Sequence, residues 1–270
     1  MSKKLAVLGA GNMGCAIVDG ILSSAIIPAG DIILVRRNTE KLSEYVTKGC
    51  VVSDDVIYGA READVIILAV KPQMMGELFE TISSVCKEKL LISIAAGVRI
   101  DRIESALPDN RVVRVMPNTP LTVGEGVTEI CRGENVSDEE FSFAKGIFSS
   151  SGYVMECREC QINALTALTS SAVAYFALVE KAMSNWAMVN GLSEYGNQEI
   201  CDLISKTAMG SAKLLFDKKI SPEDLIRSVA SPNGTTERAL NVFEEDKLEE
   251  TFAKAMTACL NRAEELSSSK

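Results

Sequence analysis

The chain has 270 residues, 47% hydrophobic and 24% charged, enough for about two globular domains. A net charge of −9 argues against a surface built for nucleic acid or an anionic membrane, which takes clustered Lys and Arg. Histidine is absent, so Ser-His, Cys-His and His-ligated metal mechanisms drop out together. Any chemistry falls to hydroxyls, lysines, carboxylates, backbone groups or a borrowed cofactor.

The first half alternates apolar, β-type runs with amphipathic stretches. Leu5 to Gly11, Asp31 to Val35, Asp64 to Val70, Leu90 to Gly97 and Arg111 to Met116 read as strands buried on both faces. Helices are predicted between several of them, notably over Asn12 to Ser24 and Gln73 to Cys86. Candidate strands Gly126 to Cys131 and Gly152 to Glu156 bracket a helix starting near Ser137, where Ser137-Asp138-Glu139-Glu140 has the capping-box pattern.

From about Glu159 the alternation gives way to helical periods over Ala164 to Asn190, Glu194 to Phe216, Pro222 to Val229 and Thr236 to Leu266. The stretch Ala172 to Ala182 is apolar on nearly all sides except Glu180 and Lys181, as suits a subunit interface. No apolar run reaches the roughly 18 residues that span a bilayer, so no membrane is expected as a partner. No secretory signal precedes Lys4, and the eight cysteines read as reduced thiols of a cytoplasmic protein. Cys157 and Cys160 form one C-x-x-C, an incidental loop pair, because zinc wants a second pair or histidines; no metal site is expected. The Ser267 to Lys270 end is expected to fray.

Gly9-Ala10-Gly11-Asn12-Met13-Gly14 is a G-x-G-x-x-G directly after a strand and before a helix, the context that gives this motif weight. Gly9 allows the tight turn, Gly11 lets a pyrophosphate approach the backbone and Gly14 permits close helix packing. The helix start then offers the phosphates free N–H groups from Asn12 and Met13. Sites for NAD usually carry Asp or Glu after the second strand; here stand Arg36-Arg37-Asn38-Thr39, whose guanidinium groups suit a 2′-phosphate. NADPH is the expected cofactor, with NADH as the alternative.

Three further segments stand at strand or helix ends: Ala69-Val70-Lys71-Pro72-Gln73, Arg114 to Pro120, and Ser231-Pro232-Asn233-Gly234-Thr235-Thr236 before the last helical stretch. The last of these has the hydroxyls and amides of an anion nest. Together with Gly9 to Gly14 and Leu165 to Tyr175, in this order, they make the chain resemble the Δ1-pyrroline-5-carboxylate reductase family. The resemblance implies an α/β Rossmann-type N-terminal domain, residues 1–158, and an all-α C-terminal dimerisation and substrate-binding domain, residues 159–270. It implies a homodimer through the helical domain, which in some members assembles into decamers, and hydride transfer to the C=N carbon of a cyclic imino acid. By position, Ser231, Asn233, Gly234, Thr235 and Thr236 would hold the substrate, with Thr236 nearest the ring nitrogen. Lys71 would act beside it on the cofactor side. Ala69, Val70, Lys71, Pro72 and Asn118 would join the glycine loop, Arg36 and Arg37 around the cofactor.

The chemistry of the residues agrees. A cyclic imine at neutral pH is partly protonated, so hydride delivery needs positioning more than a strong acid or base.

The helical domain departs from the family pattern. Leu165-Thr166-Ala167-Leu168-Thr169-Ser170-Ser171-Ala172-Val173-Ala174-Tyr175 has Ser170, Ala172 and Val173 where the family carries two glycines and a proline, so an earlier helix start is expected. Trp186 stands where the family has a small residue, and Asn233 replaces a glycine. These changes leave two alternatives open: a reductase of a different cyclic imine, and a non-catalytic NADP-binding paralogue. A 3-hydroxyacid dehydrogenase is only superficially suggested by Gly210-Ser211-Ala212-Lys213.

Overall fold

The computed structural model describes residues 3–268. Eight strands form one sheet: β1 (Leu5–Leu8), β2 (Ile32–Val35), β3 (Val51–Ser53), β4 (Val65–Leu68), β5 (Leu90–Ser93), β6 (Arg111–Pro117), β7 (Gly126–Arg132) and β8 (Gly152–Glu156), in the order β3-β2-β1-β4-β5-β6-β7-β8. All neighbours are parallel except β6 and β7, which pair antiparallel from Val113 opposite Arg132 to Pro117 opposite Thr128. The order reverses between β1 and β4, and a crevice opens at such a reversal beyond the C-terminal strand ends.

The four central strands β1, β2, β4 and β5 are buried along their whole length, which is why they read as unbroken apolar runs. Leu5 and Val7 face one apolar layer, built with α1 (Asn12–Ser24) and α6 (Asp138–Ser149). Ala6 and Leu8 face the other, built with α3 (Val56–Glu62), α4 (Met75–Ile82) and α5 (Ile100–Ala106); the remaining short helix on this stretch is α2 (Ser43–Thr47). The Ser137 capping box forms: the Glu140 N–H donates to Ser137 Oγ at 3.2 Å, and the Ser137 N–H donates to Glu140 Oε2 at 3.1 Å.

The chain divides into two compact units, residues 3–171 with 259–268 and residues 172–258. The first unit includes α7 (Ile162–Leu168), which buries Ile162 in the second apolar layer. It also takes in the end of α12 (Leu248–Ser268), where Ser267 Oγ donates to Asn163 Oδ1 at 3.2 Å. Ser267 is therefore tied down rather than frayed, and Ser269 and Lys270 lie outside the described residues.

The second unit holds α8 (Ala172–Val189), α9 (Gly196–Lys218), α10 (Pro222–Val229), α11 (Thr235–Glu245) and the first part of α12. Two expected long helices are broken. The first ends at Leu168, and α8 begins at Ala172, no earlier than the turn Thr169–Ser171. The Ser171 N–H closes that turn by donating to the Thr166 carbonyl at 2.9 Å. The other breaks at Asp246–Lys247, where Lys247 takes a φ of 53°.

Residues 159–189 also correct the expectation about apolar length. They contain a window apolar enough to cross a membrane, with mean hydropathy 1.6. Two features oppose that use. The turn at 169–171 interrupts the stretch, and Glu180 and Lys181 lie inside α8, where a bilayer penalises charge.

Candidate functional site

The crevice at the β1/β4 reversal contains a cavity of about 440 Å³. Gly9 and Gly11 after β1, Arg36 and Arg37 after β2, and Ala69, Val70 and Lys71 after β4 all line it. These seven expected cofactor residues come from three strand ends, and parallel topology is what brings them together.

Each glycine has a separate physical reason. Gly9 has a φ of +94°, and a Cβ there would lie 2.7 Å from Val70 Cγ1, so the turn and the β4 loop require glycine. A Cβ on Gly14 would meet Val7 Cγ1 at 2.9 Å, so this glycine seats α1 on β1. At Gly11 a Cβ would meet only the Gly9 carbonyl, at 3.8 Å, and the space above is open for a ligand to approach the backbone. No side chain caps α1, so the N–H groups of Asn12, Met13 and Gly14 have no intrahelical acceptor and remain available to an anion.

The cavity's cations are uncommitted. Arg36 donates from Nη1 to the Ala10 carbonyl at 3.2 Å, which folds its guanidinium over the glycine loop without neutralising it. Arg37 and Lys71 are exposed, and none of the three forms an ion pair among the described residues. Apolar Val35, Val56, Met74 and Leu78 also line the cavity, as a flat base would require, together with polar Asn38 and Thr81 and the carboxylates of Asp54 and Glu77. An anionic dinucleotide therefore fits the donor set: open glycine backbone, free amides and unpaired cations. Sequence reading missed Asp54 and Val56, because the strand before them, β3, is only three half-buried residues.

Pro72 opens the short turn Pro72–Met74 behind Lys71. Asn118 does not line this cavity. It is 5% exposed; its Oδ1 accepts from the Val127 N–H at 2.8 Å, and its Nδ2 donates to the Thr169 carbonyl at 3.5 Å. Its side chain thus holds the loop after β6 to β7 and to the Thr169 turn.

Ser231 to Thr236 lie in the second unit and lead into α11. Asn233 takes the left-handed φ of 59° that its amide side chain tolerates, and Gly234 packs so closely that a Cβ would lie 2.5 Å from Ser231 Oγ. Two of the expected nest amides are already used: the Asn233 N–H donates to Glu237 Oε2 at 2.8 Å, and the Gly234 N–H to the Ser231 carbonyl at 2.9 Å. The amides of Thr235 and Thr236, in the uncapped first turn of α11, have no intrahelical acceptor.

Fold and cavity together define an NADP-dependent oxidoreductase of the Rossmann type, followed by a helical module. Comparison with known proteins narrows this. A family model for pyrroline-5-carboxylate reductase dimerisation matches residues 159–266, and one for NADP oxidoreductase, coenzyme F420-dependent, matches residues 4–97. The pyrroline-5-carboxylate reductase of Haemophilus influenzae is 36% identical over 98% of this chain and 97% of that protein. That of Escherichia coli is 33% identical over 100% of both. Among solved structures, a pyrroline-5-carboxylate reductase from Coxiella burnetii covers 100% of both chains with a TM-score of 0.90 and 34% identity. A Plasmodium falciparum pyrroline carboxylate reductase with NADP bound covers 98% of both, with a TM-score of 0.89 and 28% identity. The chain belongs to the pyrroline-5-carboxylate reductase family. The dimerisation model lies over helices rich in exposed apolar side chains, and the chain is built to self-associate there.

Proposed function

We propose that this protein reduces the C=N bond of 1-pyrroline-5-carboxylate to give L-proline, with NADPH as hydride donor. The observation that carries this reading is relatedness to pyrroline-5-carboxylate reductases along the whole chain, not one domain of it. Bound NADPH would supply a hydride from its nicotinamide. The chain's own groups bind and orient. Asn12, Met13 and Gly14 offer amides to the pyrophosphate, and Arg36 and Arg37 offer guanidinium donors to a 2′-phosphate. Lys71 and Pro72 border the cofactor, and Asn118 with Thr119 lies on the nicotinamide side. Ser231 and the amides of Thr235 and Thr236 hold the substrate carboxylate. The Thr236 hydroxyl holds the ring nitrogen, where it steadies the proton of the iminium.

In this reading residues 1–158 form the cofactor module and 159–270 the dimerisation and substrate module. The working unit is a cytoplasmic homodimer, with decamers as the higher assembly.

The test follows NADPH consumption with 1-pyrroline-5-carboxylate and then with other cyclic imines. Turnover of 1-pyrroline-5-carboxylate is expected to exceed that of the others; a better substrate elsewhere in the panel overturns the assignment, and tight NADPH binding with no turnover of any imine points to a binding protein. Thr236→Ala should lower kcat with NADPH affinity unchanged, and an unaltered rate removes Thr236 from the mechanism. Arg37→Ala should weaken NADPH about tenfold, the effect of losing one charge-assisted bond, and leave NADH alone. Equal losses for both dinucleotides would show that Arg37 does not read the 2′-phosphate.

A further inference from the structure

Glu129 lies in the middle of β7, flanked by β6 and β8, and is 0% exposed. A carboxylate at such a place is costly unless it is paired, and no cation pairs with it among the described residues. Arg114, on neighbouring β6, is committed to Glu159 at 3.0 Å. The residues opposite Glu129 in the sheet are Met116 on β6 and Met155 on β8, and α7 carries no titratable group. Cys157, just past β8, is the titratable group whose charge couples to it, and burial holds that thiol above its ordinary range, hence protonated.

The proton count around Thr169 is informative. Its Oγ1 lies 2.8 Å from Glu129 Oε1 and 2.8 Å from the Leu165 carbonyl. A hydroxyl has one proton and both neighbours are acceptors if Glu129 is ionised, so one of the two contacts would then be two oxygens without a hydrogen. With the proton on Glu129, both contacts are hydrogen bonds: the carboxyl donates to Thr169 Oγ1, and the Thr169 hydroxyl donates to Leu165. Glu129 Oε2 is buried without a partner, which a neutral acid bears far better than a carboxylate. Burial also holds this carboxyl above the ordinary carboxylate range, against the pull of the Thr169 contact and of its own backbone N–H, both of which favour the ionised form.

Thr169 begins the turn between α7 and α8, a turn with neither glycine nor proline to fix its backbone. Its carbonyl accepts from Asn118, whose Oδ1 in turn accepts from the Val127 N–H. We propose that Glu129 is a neutral carboxylic acid that clamps the Thr169 turn and, through Thr169, fixes Asn118 and the loop after β6: a positioning residue for the reduction site. The catalytic part of this rests on the reading that the Asn118–Thr119 segment borders the nicotinamide. The clamp itself does not.

The experiment uses full-length protein and three variants. Glu129→Gln keeps a neutral side chain that can donate to Thr169 and guards against a folding failure of Glu129→Leu; Thr169→Val removes the shared hydroxyl. Infrared spectra of the cofactor-free protein near neutral pH should contain a protonated-carboxyl stretch that Glu129→Gln lacks. No difference overturns the proposal, whatever the activity. Amide exchange at Val127 should quicken in Thr169→Val, and unchanged exchange also overturns it. In steady-state kinetics with 1-pyrroline-5-carboxylate, Glu129→Gln should keep the wild-type kcat and shed the part of the alkaline decline that exceeds deprotonation of the substrate's iminium. Thr169→Val should lower kcat by roughly 10- to 100-fold, the scale of a misplaced reactive group, with NADPH Kd unchanged. A pH profile identical in wild type and Glu129→Gln, or a wild-type kcat in Thr169→Val, ends the positioning role. If the wild type turns over no imine, the functional reading fails, while the infrared and exchange results still decide the clamp.

Discussion

The two compact units solve the burial problem differently. In the first, both faces of the sheet are covered by the chain's own helices, and Leu5 to Leu8, Ile66, Ile67 and Leu68 are 0% exposed. In residues 172–258, only Ser184, Ala187 and Ile200 are buried, while Phe176, Trp186 and Val189 stand 75%, 63% and 81% exposed. Internal ties do exist there, such as Ser205 Oγ donating to Glu180 and Ser184 Oγ donating to Asn197, both at 2.9 Å. They leave most of α8 exposed, Leu178 and Met183 included. The lesson is that one unit carries its core in its own sequence, and the other leaves apolar helix faces exposed, as a module for self-association does.

Ile67→Ala gives the largest expected effect. It empties space at the centre of β4, and a loss of about 2–5 kcal/mol should appear in denaturant melts. A loss well under 1 kcal/mol would mean that the sheet core is not closed on itself as described. Next comes Phe176→Asp, which places a charge on the most exposed aromatic of α8. Truncated hot-spot aromatics cost upwards of about 2 kcal/mol, so sedimentation should show the assembly dissociating, with first-unit folding retained. An unchanged oligomer would place the interface on another face.

A smaller effect concerns the Ser137 cap, where Ser137→Ala should cost about 1 kcal/mol. The cap also has a pH signature. Burial raises the Glu140 carboxyl, but donation from the Ser137 N–H, the Ser137 hydroxyl and Arg111 outweighs it and holds the group below its ordinary value. A carboxyl lowered in the folded state stabilises above its unfolded pKa and loses that contribution as pH falls through the folded value. Glu140→Gln should therefore lose stability at neutral pH and converge on the wild type in acid, and parallel acid curves would remove Glu140 as the cause. Glu129 runs the other way: a raised carboxyl stabilises fully below the unfolded value and loses that contribution as pH rises.

Much of the nucleotide site was legible because its chemistry restricts residue type locally. Only glycine serves at Gly9, with its positive φ and the Val70 contact, so the position announces itself. The Ser137 cap was legible for the same reason, since its donor and acceptor lie three residues apart. The Thr169 turn was not. Its Thr169 hydroxyl meets Glu129 and its Thr169 carbonyl meets Asn118, 40 and 51 residues away in the chain, and local periodicity there reads as one uninterrupted helix. Short β3 was hidden too, because three half-buried residues carry too little pattern to register.

The sequence by itself determined that the chain begins with a dinucleotide-binding β-α-β unit, continues as a parallel sheet and ends in helices, since glycine spacing and apolar periodicity are local properties. It also removed every histidine mechanism at the outset. Tertiary structure alone decided where the first unit ends, that Asn118 spends its side chain on holding a loop rather than lining the cavity, and that Glu129 meets Thr169. Those outcomes depend on which distant groups share a buried space, and a hydrogen bond inside a protein is set by proximity in the fold, not by proximity along the chain.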